Sequence, residues 1–438
     1  MKAHVRRIKL PSAAQVSARH RQPRRRRQLS LEDRNIRYLY IDTAFQGLVS
    51  GGITTFLPVF IVRLGASSLL VSLLTSLPAI VVALLSIPSG LFVERRRDHL
   101  RVTNWGRLAY RSCFLLVAAI PFFMSHHLAE TIVVIQALQA VPGAIINLSW
   151  TAVVAEVIPP KRRPSVNGGR WSAVSLVSAL AVVLFGYLLE RLIFPTNYQI
   201  VFAISFLGGL FSIYFFSLIK LPAGPLPQAP AARAPTLAGR LRRYVNAFVE
   251  TPVFLRFLFT TFVLRFGLAL PAALYSIYWI RHLNATDVLI GWQTTVGSLA
   301  LIVGYFSWGR VASRKGHQLV LMICTIGAGF YPAATGLVTA QAWLPVVALL
   351  RGFFTTGIDI SFFDTLLHVC PAEKRPIFVA VNTISAHLAI FLGPIAGSLL
   401  ADWLGIRAVF FIAGGIHLLA ALLFQLFHVA AEEGETGD

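Results

Sequence analysis

Ser89-Gly-Leu-Phe-Val-Glu-Arg-Arg-Arg-Asp98 follows the second apolar run of this chain, and Gly309-Arg-Val-Ala-Ser-Arg-Lys-Gly-His317 follows the eighth. At an offset of 219 residues Gly90 falls on Gly309 and Arg95 on Arg314. Carried backwards, the same offset sets Leu64-Gly-Ala-Ser67 on Leu283-Asn-Ala-Thr286 without a gap. Further along, Val157-Ile-Pro-Pro-Lys-Arg-Arg-Pro164 matches Val369-Cys-Pro-Ala-Glu-Lys-Arg-Pro376 at an offset of 212, the difference being absorbed by loops rather than helices. The chain is a duplication whose two copies run in the same direction.

Composition sets the solvent. Of 438 residues, 56% are hydrophobic and only 13% are charged. Twelve apolar runs cover residues 38–62, 69–92, 105–124, 128–158, 171–189, 198–219, 253–280, 288–308, 319–338, 343–369, 377–400 and 406–427. Each approaches or exceeds the roughly 20 residues with which a helix spans a hydrocarbon core. The short alternating segments of a membrane barrel are missing from the sequence. The expected fold is an all-α integral membrane protein with twelve transmembrane helices in two six-helix, pseudo-symmetric bundles.

Orientation follows from the 39 Lys and Arg residues. Thirty-two fall in the amino tail, the linker and the loops of one face, against Arg63, Arg191, Arg281 and Arg407 on the other and Arg111, Arg265 and Arg351 inside spans. Basic loops stay in the cytoplasm, so both termini are expected there in a multi-pass protein of the plasma (inner) membrane. The same distribution accounts for the net charge of +21 through contact with membrane lipid and requires no nucleic acid. The expected division is a basic disordered tail over 1–37, bundles over 38–220 and 253–428, a cytoplasmic linker over 221–252 and an acidic tail over 429–438. Within the linker, Leu237 to Val249 reads as an amphipathic surface helix.

Six plus six spans, a parallel repeat and a basic linker resemble the major facilitator superfamily. Its loop signature, Gly-x-x-x-Asp-(Arg/Lys)-x-Gly followed by basic residues, is approximated in both copies. In the first, Glu94 replaces the aspartate and Arg97 the second glycine. In the second, Gly316 is kept but Ser313 replaces the acid. The resemblance implies alternating access to a cavity lined by the first, fourth, seventh and tenth spans. It also implies a cytoplasmic gate, for which Gly90, Glu94, Arg95, Glu156, Gly309, Arg314 and Gly316 are the candidates. Arg95 is expected to pair with Glu156.

The charges inside spans give a separate reading. The tenth span holds Arg351, Asp359 and Asp364, the seventh Arg265 and the first Asp42 with Gln46. Each charge costs about 2.5–3.5 kcal/mol at a helix centre, so these groups are expected to face water or one another. The repeat sets Asp359 on Asn147, Arg351 on Gln139 and Arg265 on Gln46, polar in both halves. We therefore expect Asp359, Arg265, Asp364, Arg351, Asp42, Gln46 and Asn147 around a substrate and proton cavity. Arg265 and Asp359 lie roughly 18 and 15 Å in from the basic end of their spans and are expected to pair. A carboxyl that moves between an apolar and a cationic setting takes up and releases a proton, and Asp359 is the first candidate.

The expected activity is secondary active transport of a small solute, proton-coupled, with efflux of small amphipathic compounds preferred over uptake of a polar metabolite. A solute sensor on the same fold is the alternative. No nucleophile–base pair marks an enzyme, and no nucleotide-binding glycine–lysine loop marks an ATP-driven pump. No cofactor and no metal are expected: Cys113, Cys324 and Cys370 are scattered, and His126 and His127 have no partners at ligand spacing. A monomer is expected. Gly393-Pro-Ile-Ala-Gly397 resembles an antiporter motif but falls in the eleventh span instead of the fifth, so it does not set the direction.

Overall fold

The computed structural model describes residues 30–96, 98–124, 126–159, 162–221, 252–370 and 375–427. The basic tail before Ser30, the linker with its amphipathic stretch Leu237 to Val249, and the acidic tail lie outside the described residues. Among the described residues twelve helices are long and apolar enough to cross a membrane. They are α1 (Leu31–Arg63), α2 (Ser68–Glu94), α3 (His99–Phe123), α4 (Leu128–Val157), α5 (Ser165–Arg191), α6 (Thr196–Ser217), α7 (Pro252–His282), α8 (Asp287–Lys315), α9 (His317–Leu337), α10 (Gln341–Leu366), α11 (Phe378–Leu404) and α12 (Ile406–Leu426). The protein is an all-α, multi-pass integral membrane protein, because only helices satisfy every backbone group within one apolar span.

Several helices begin earlier than their apolar runs. α1 starts at Leu31, inside the stretch read as tail, because Ser30 caps it by accepting from the Asp33 backbone N–H at 3.1 Å. α3 starts at His99, six residues before its apolar run, capped by Asp98 through Arg101 N at 2.8 Å. Side-chain oxygens at these positions take up donors that a helix start otherwise leaves unpaired.

The duplication survives in backbone detail. Ser67 caps α2 through Leu70 N at 3.2 Å, and its repeat partner Thr286 caps α8 through Leu289 N at 3.3 Å. Two residues before each cap, Gly65 (φ +85°) and Asn284 (φ +50°) both turn through the left-handed region. Glycine and asparagine are the residues that enter it at least cost.

Proline interrupts the helices where the two halves meet. In α1 a π-turn over Ser50–Thr54 precedes Pro58, and α7 breaks between Ala269 and Ala272 at Pro271. Each proline removes a backbone donor, and the wide turn or break absorbs the loss. At the α7 break Gly397 of α11 lies so close that an added Cβ would overlap the Leu270 carbonyl. Gly393 lies against Ala269 in the same way. This glycine pair is a packing device for α7 in the second half.

The halves join through α2 with α11 and α5 with α8. Away from the linker, one apolar cluster runs through both halves, including Val71, Leu74, Val182, Leu270, Tyr275 and Ile290. Toward the linker the core divides. Ile36, Val153, Val157 and Phe216 form one cluster in the first half, and Phe254, Phe257, Leu366 and Phe378 form another in the second. The halves therefore share one core on the face of Arg63 and Asp287, and their cores are separate on the face of Leu221 and Pro252.

Candidate functional site

Pro58 of α1, Pro271 of α7 and Pro332 of α9 line one cavity of about 280 Å³. α10 contributes Arg351 and Thr355, and α12 contributes His417. The prolines explain the space, since each segment they interrupt loses regular helix packing at the same level. One wall is aromatic. The Tyr275 ring lies 4.8 Å from Tyr331 and 6.0 Å from Trp279, centroid to centroid.

Arg351 is exposed, as are Leu268 and Ala272 of the lining, and its guanidinium carbon lies 5.8 Å from the Tyr331 ring centre. The Trp279 indole N–H, the Tyr331 hydroxyl and the His417 Nε2 are buried without a hydrogen-bond partner among the described residues. The Tyr331 hydroxyl lies near Arg351, Gln293 and Thr335 but meets none of them in good geometry. On the His417 ring, Nδ1 is 2.7 Å from the Ala413 carbonyl and donates to it, leaving Nε2 free of protein partners. Buried polar groups are rarely left unpaired, so three around one cavity make it the candidate binding site.

Asp359 lies eight residues from Arg351 along α10, about 12 Å toward the basic face. It is within electrostatic reach of Arg265 and of the Tyr305 hydroxyl. No ion pair joins it to Arg265 among the described residues. Arg265 instead sets its guanidinium carbon 4.4 Å over the Phe362 ring. The expected direct pair is thus an electrostatic neighbourhood. Asn147 stands exposed on α4.

Asp42 and Gln46 depart from expectation. Asp42 is 1% exposed and turned into the first bundle, where Arg107 of α3 holds both its oxygens at 2.8 and 3.4 Å and the Ser212 hydroxyl of α6 donates to it. Gln46 accepts from Arg111 at 2.7 Å, and Arg111 also reaches Ser212 at 3.0 Å. Arg170 of α5 donates to Thr43 at 3.0 Å beside them. A buried carboxylate needs a cation with matching geometry, and the bidentate arginine supplies it. This network ties α1, α3, α5 and α6 together inside one bundle; it does not line the cavity.

The gate residues also rearrange. Glu94 and Arg95 are exposed at the end of α2, and Glu156 pairs with His99 at 2.8 Å instead of with Arg95. The reason is local: the Asp98 cap starts α3 at His99, which places that ring against the end of α4. In the second half His317 opens α9 and approaches Asp364 of α10 at 3.5 Å. Each half thus links the start of its third helix to the basic end of its fourth by a histidine and an acid. Asp364 belongs to that link. Gly316, at φ +87°, makes the α8–α9 turn, and Arg314 beside it is exposed. Gly90 and Gly309 lie within α2 and α8, and nothing approaches the Cβ position of Gly309 within 4 Å. Arg162, on the same face, bonds Glu32 at 2.5 Å and Asp33 at 3.0 Å, and these two carboxylates raise its guanidinium above the ordinary value.

Sequence reasoning missed the seal on the opposite face. Asp287 begins α8 and is 5% exposed. It meets Arg63 of α1 at 3.1 Å and accepts from the Tyr198 hydroxyl of α6 at 2.8 Å. Beside it Val288 N donates to Glu190 at 3.1 Å, and Arg281 donates to the Ala66 carbonyl at 2.5 Å. A Cβ at Gly186 would fall 2.9 Å from the Asp287 carbonyl oxygen, so α5 and α8 touch nearly backbone to backbone. The signal was present as opposite charges at the ends of the first and eighth spans.

Comparison with known proteins agrees with this architecture. The family model described as Major Facilitator Superfamily matches residues 39–264 and again 257–437. The multi-drug resistance efflux pump PmrA of Streptococcus pneumoniae (TIGR4) is 24% identical over 407 residues, 90% of this chain and 95% of that protein. The Tetracenomycin C resistance and export protein of Streptomyces glaucescens is 29% identical over 154 residues, 35% of this chain. A PmrA homolog of Lactococcus lactis is 30% identical over 122 residues, 27% of this chain. These last two matches each span only 29% of the relative's length. Among solved structures, a POT family transporter superposes with a TM-score of 0.73 at 11% identity over 91% of this chain and 97% of that one. A bacterial homologue of the iron transporter ferroportin in an inward-facing state gives 0.68 at 14% identity over 91% and 99%.

Proposed function

Since the chain belongs to the Major Facilitator Superfamily, we propose that it exports small amphipathic compounds across the plasma membrane by proton-coupled alternating access. The observation that carries this reading is the asymmetry of the core: one cluster joins the halves on one face, and two separate clusters stand apart on the other. Described basic residues such as Arg95, Arg162 and Arg314 lie on the parted face. The sequence count of 32 of 39 in the tail, linker and loops of one side supports turning that face to the cytoplasm by the positive-inside rule. In this reading both termini are cytoplasmic, and the conformation is closed outward and open inward. A solute enters the cavity beside Arg351 from inside and leaves after the Asp287 seal opens.

Asp359 fits the proton site. It sits between the cavity and the basic face, near a cation and a hydroxyl yet in no ion pair. A carboxyl so placed changes its setting when the halves rock, which lets protonation follow conformation. The efflux names of the relatives support the direction, as does the largely apolar cavity wall.

The test is transport in proteoliposomes under an imposed pH gradient. A panel of three naphthalene derivatives serves as probe: 2-naphthalenesulfonate, 2-naphthalenesulfonamide and (2-naphthyl)trimethylammonium. Wild-type protein should drive at least one probe against its concentration, and Asp359→Asn should abolish this while still exchanging probe with probe. Full gradient-driven transport by Asp359→Asn would overturn the proton assignment, and no movement of any probe would count against efflux of such compounds.

A further inference from the structure

Arg351 is the one residue with a permanent charge among the described residues lining the cavity, and no acid lines it. Its distance from Asp359, two turns of helix along α10, keeps that carboxylate outside the cavity wall. No ion pair of Arg351 occurs among the described residues. Among the described residues Arg351 has only the Tyr331 ring and hydroxyl beside it, whereas the other two in-span arginines have more. Arg111 reaches Gln46 and Ser212, and Arg265 has the Phe362 face with Asp359 in reach. A guanidinium held in an apolar span without a counter-charge is costly, and the missing charge is most simply that of the ligand.

Two of the three remaining polar groups agree in sign. The Trp279 N–H is a donor only, the Tyr331 hydroxyl can donate, and both are buried without partners. Tyr331 is 5% exposed, and His417, 1% exposed, presents Nε2 as an acceptor because its proton sits on Nδ1. Two neutral donors and one cation around the same space suit an acceptor-rich anion. The clustered rings of Tyr275, Tyr331 and Trp279 suit a flat apolar body attached to it.

We infer that this cavity selects amphipathic organic anions, an aromatic or apolar body bearing a carboxylate or sulfonate, with Arg351 as the charge-reading residue. The inference rests on the transport reading above and narrows it to one substrate class. Arg351 and the two donors take the anionic head, and the aromatic wall takes the body. Cations are excluded by the uncompensated guanidinium, and neutral isosteres lose the charge-assisted hydrogen bonds.

The experiment is direct binding to detergent-purified full-length protein, which needs no transport. Radiolabelled 2-naphthalenesulfonate, its sulfonamide and the trimethylammonium analogue are titrated in turn. The sulfonate should bind at least tenfold more tightly than either analogue. Arg351→Gln should weaken sulfonate binding at least tenfold and leave the sulfonamide unchanged, and Arg351→Lys should recover part of the loss. Trp279→Phe, which keeps the ring and removes the donor, should weaken the sulfonate severalfold and serves if Arg351→Gln does not fold. Equal or tighter binding of the cation, no binding of the sulfonate, or an Arg351→Gln protein with unchanged sulfonate affinity would overturn the inference. Sulfonate binding without sulfonate movement in proteoliposomes would leave the inference standing and sink the transport reading. Movement of the cation with no sulfonate binding would do the reverse.

Discussion

Arg63 ends α1 and Asp287 begins α8, and their side chains meet at 3.1 Å across the seam between the halves. The Asp287 side chain is 7% exposed and that of Arg63 31%, so the acid is the more committed partner. Tyr198 holds the same carboxylate oxygen, which fixes it for the arginine. In the proposed cycle the seam parts for a solute to leave on this face, which would make the pair part of the balance between the two conformations.

Removing the arginine leaves a buried carboxylate with only the tyrosine. Arg63→Gln should therefore favour the form open on this face by about 1–2 kcal/mol, less than the 3–5 kcal/mol of a fully buried pair because Arg63 is partly solvated. Modification of a single cysteine placed at Ala285, 3% exposed beside the pair, would report it, with a rate that rises about tenfold. An unchanged rate would remove the pair from the gate.

Gly186→Ala should act on the same equilibrium by a different route. The new methyl group meets the Asp287 carbonyl oxygen at 2.9 Å, and backbone gives way poorly. Overpacking of this kind costs about 1–3 kcal/mol, here paid only in the closed form. The same cysteine should become more reactive while thermal stability in detergent changes little.

The network around Asp42 predicts a stability effect. Asp42→Asn leaves Arg107 and Arg111 buried with one fewer counter-charge, and the midpoint of thermal unfolding should fall by about 5 °C or more. Probe affinity at the cavity should be unchanged in whatever fraction stays folded. A variant of normal stability that has lost transport would return Asp42 to the cavity.

On the basic face, coupling should follow the observed partner. A double-mutant cycle on thermal stability should give about 0.5–1 kcal/mol between His99 and Glu156 and nothing between Arg95 and Glu156. The reverse would restore the Arg95 pairing that the loop signature suggests.

The fold was legible because its signals are local. Twelve apolar runs specify the helices, and Gly65 with Ser67 repeats as Asn284 with Thr286 down to backbone angle and cap. The site was legible only in part. Arg351 stands out in any reading, since a charge in an apolar span must be explained. Asp42 was misplaced because its partner Arg107, 65 residues on, sits at the very start of the third apolar run and counts with the basic loop before it. Trp279, Tyr331 and His417 look like ordinary core residues in a line of sequence. Their missing partners exist only in three dimensions. The Arg63–Asp287 pair needs the two halves docked before either charge has a neighbour. Pro271 and Pro332 were the available hint, since prolines in facing spans open space between them.

The most direct test is a pair of distances read by spin labels after Cys113, Cys324 and Cys370 are replaced. One pair, at Glu94 and Arg314, spans the basic face. The other, at Ile193 and Trp343, spans the opposite face. In reconstituted protein, lowering the pH with probe present should shorten the first distance and lengthen the second together. If both stay fixed, or both move the same way, alternating access between these two seams is wrong.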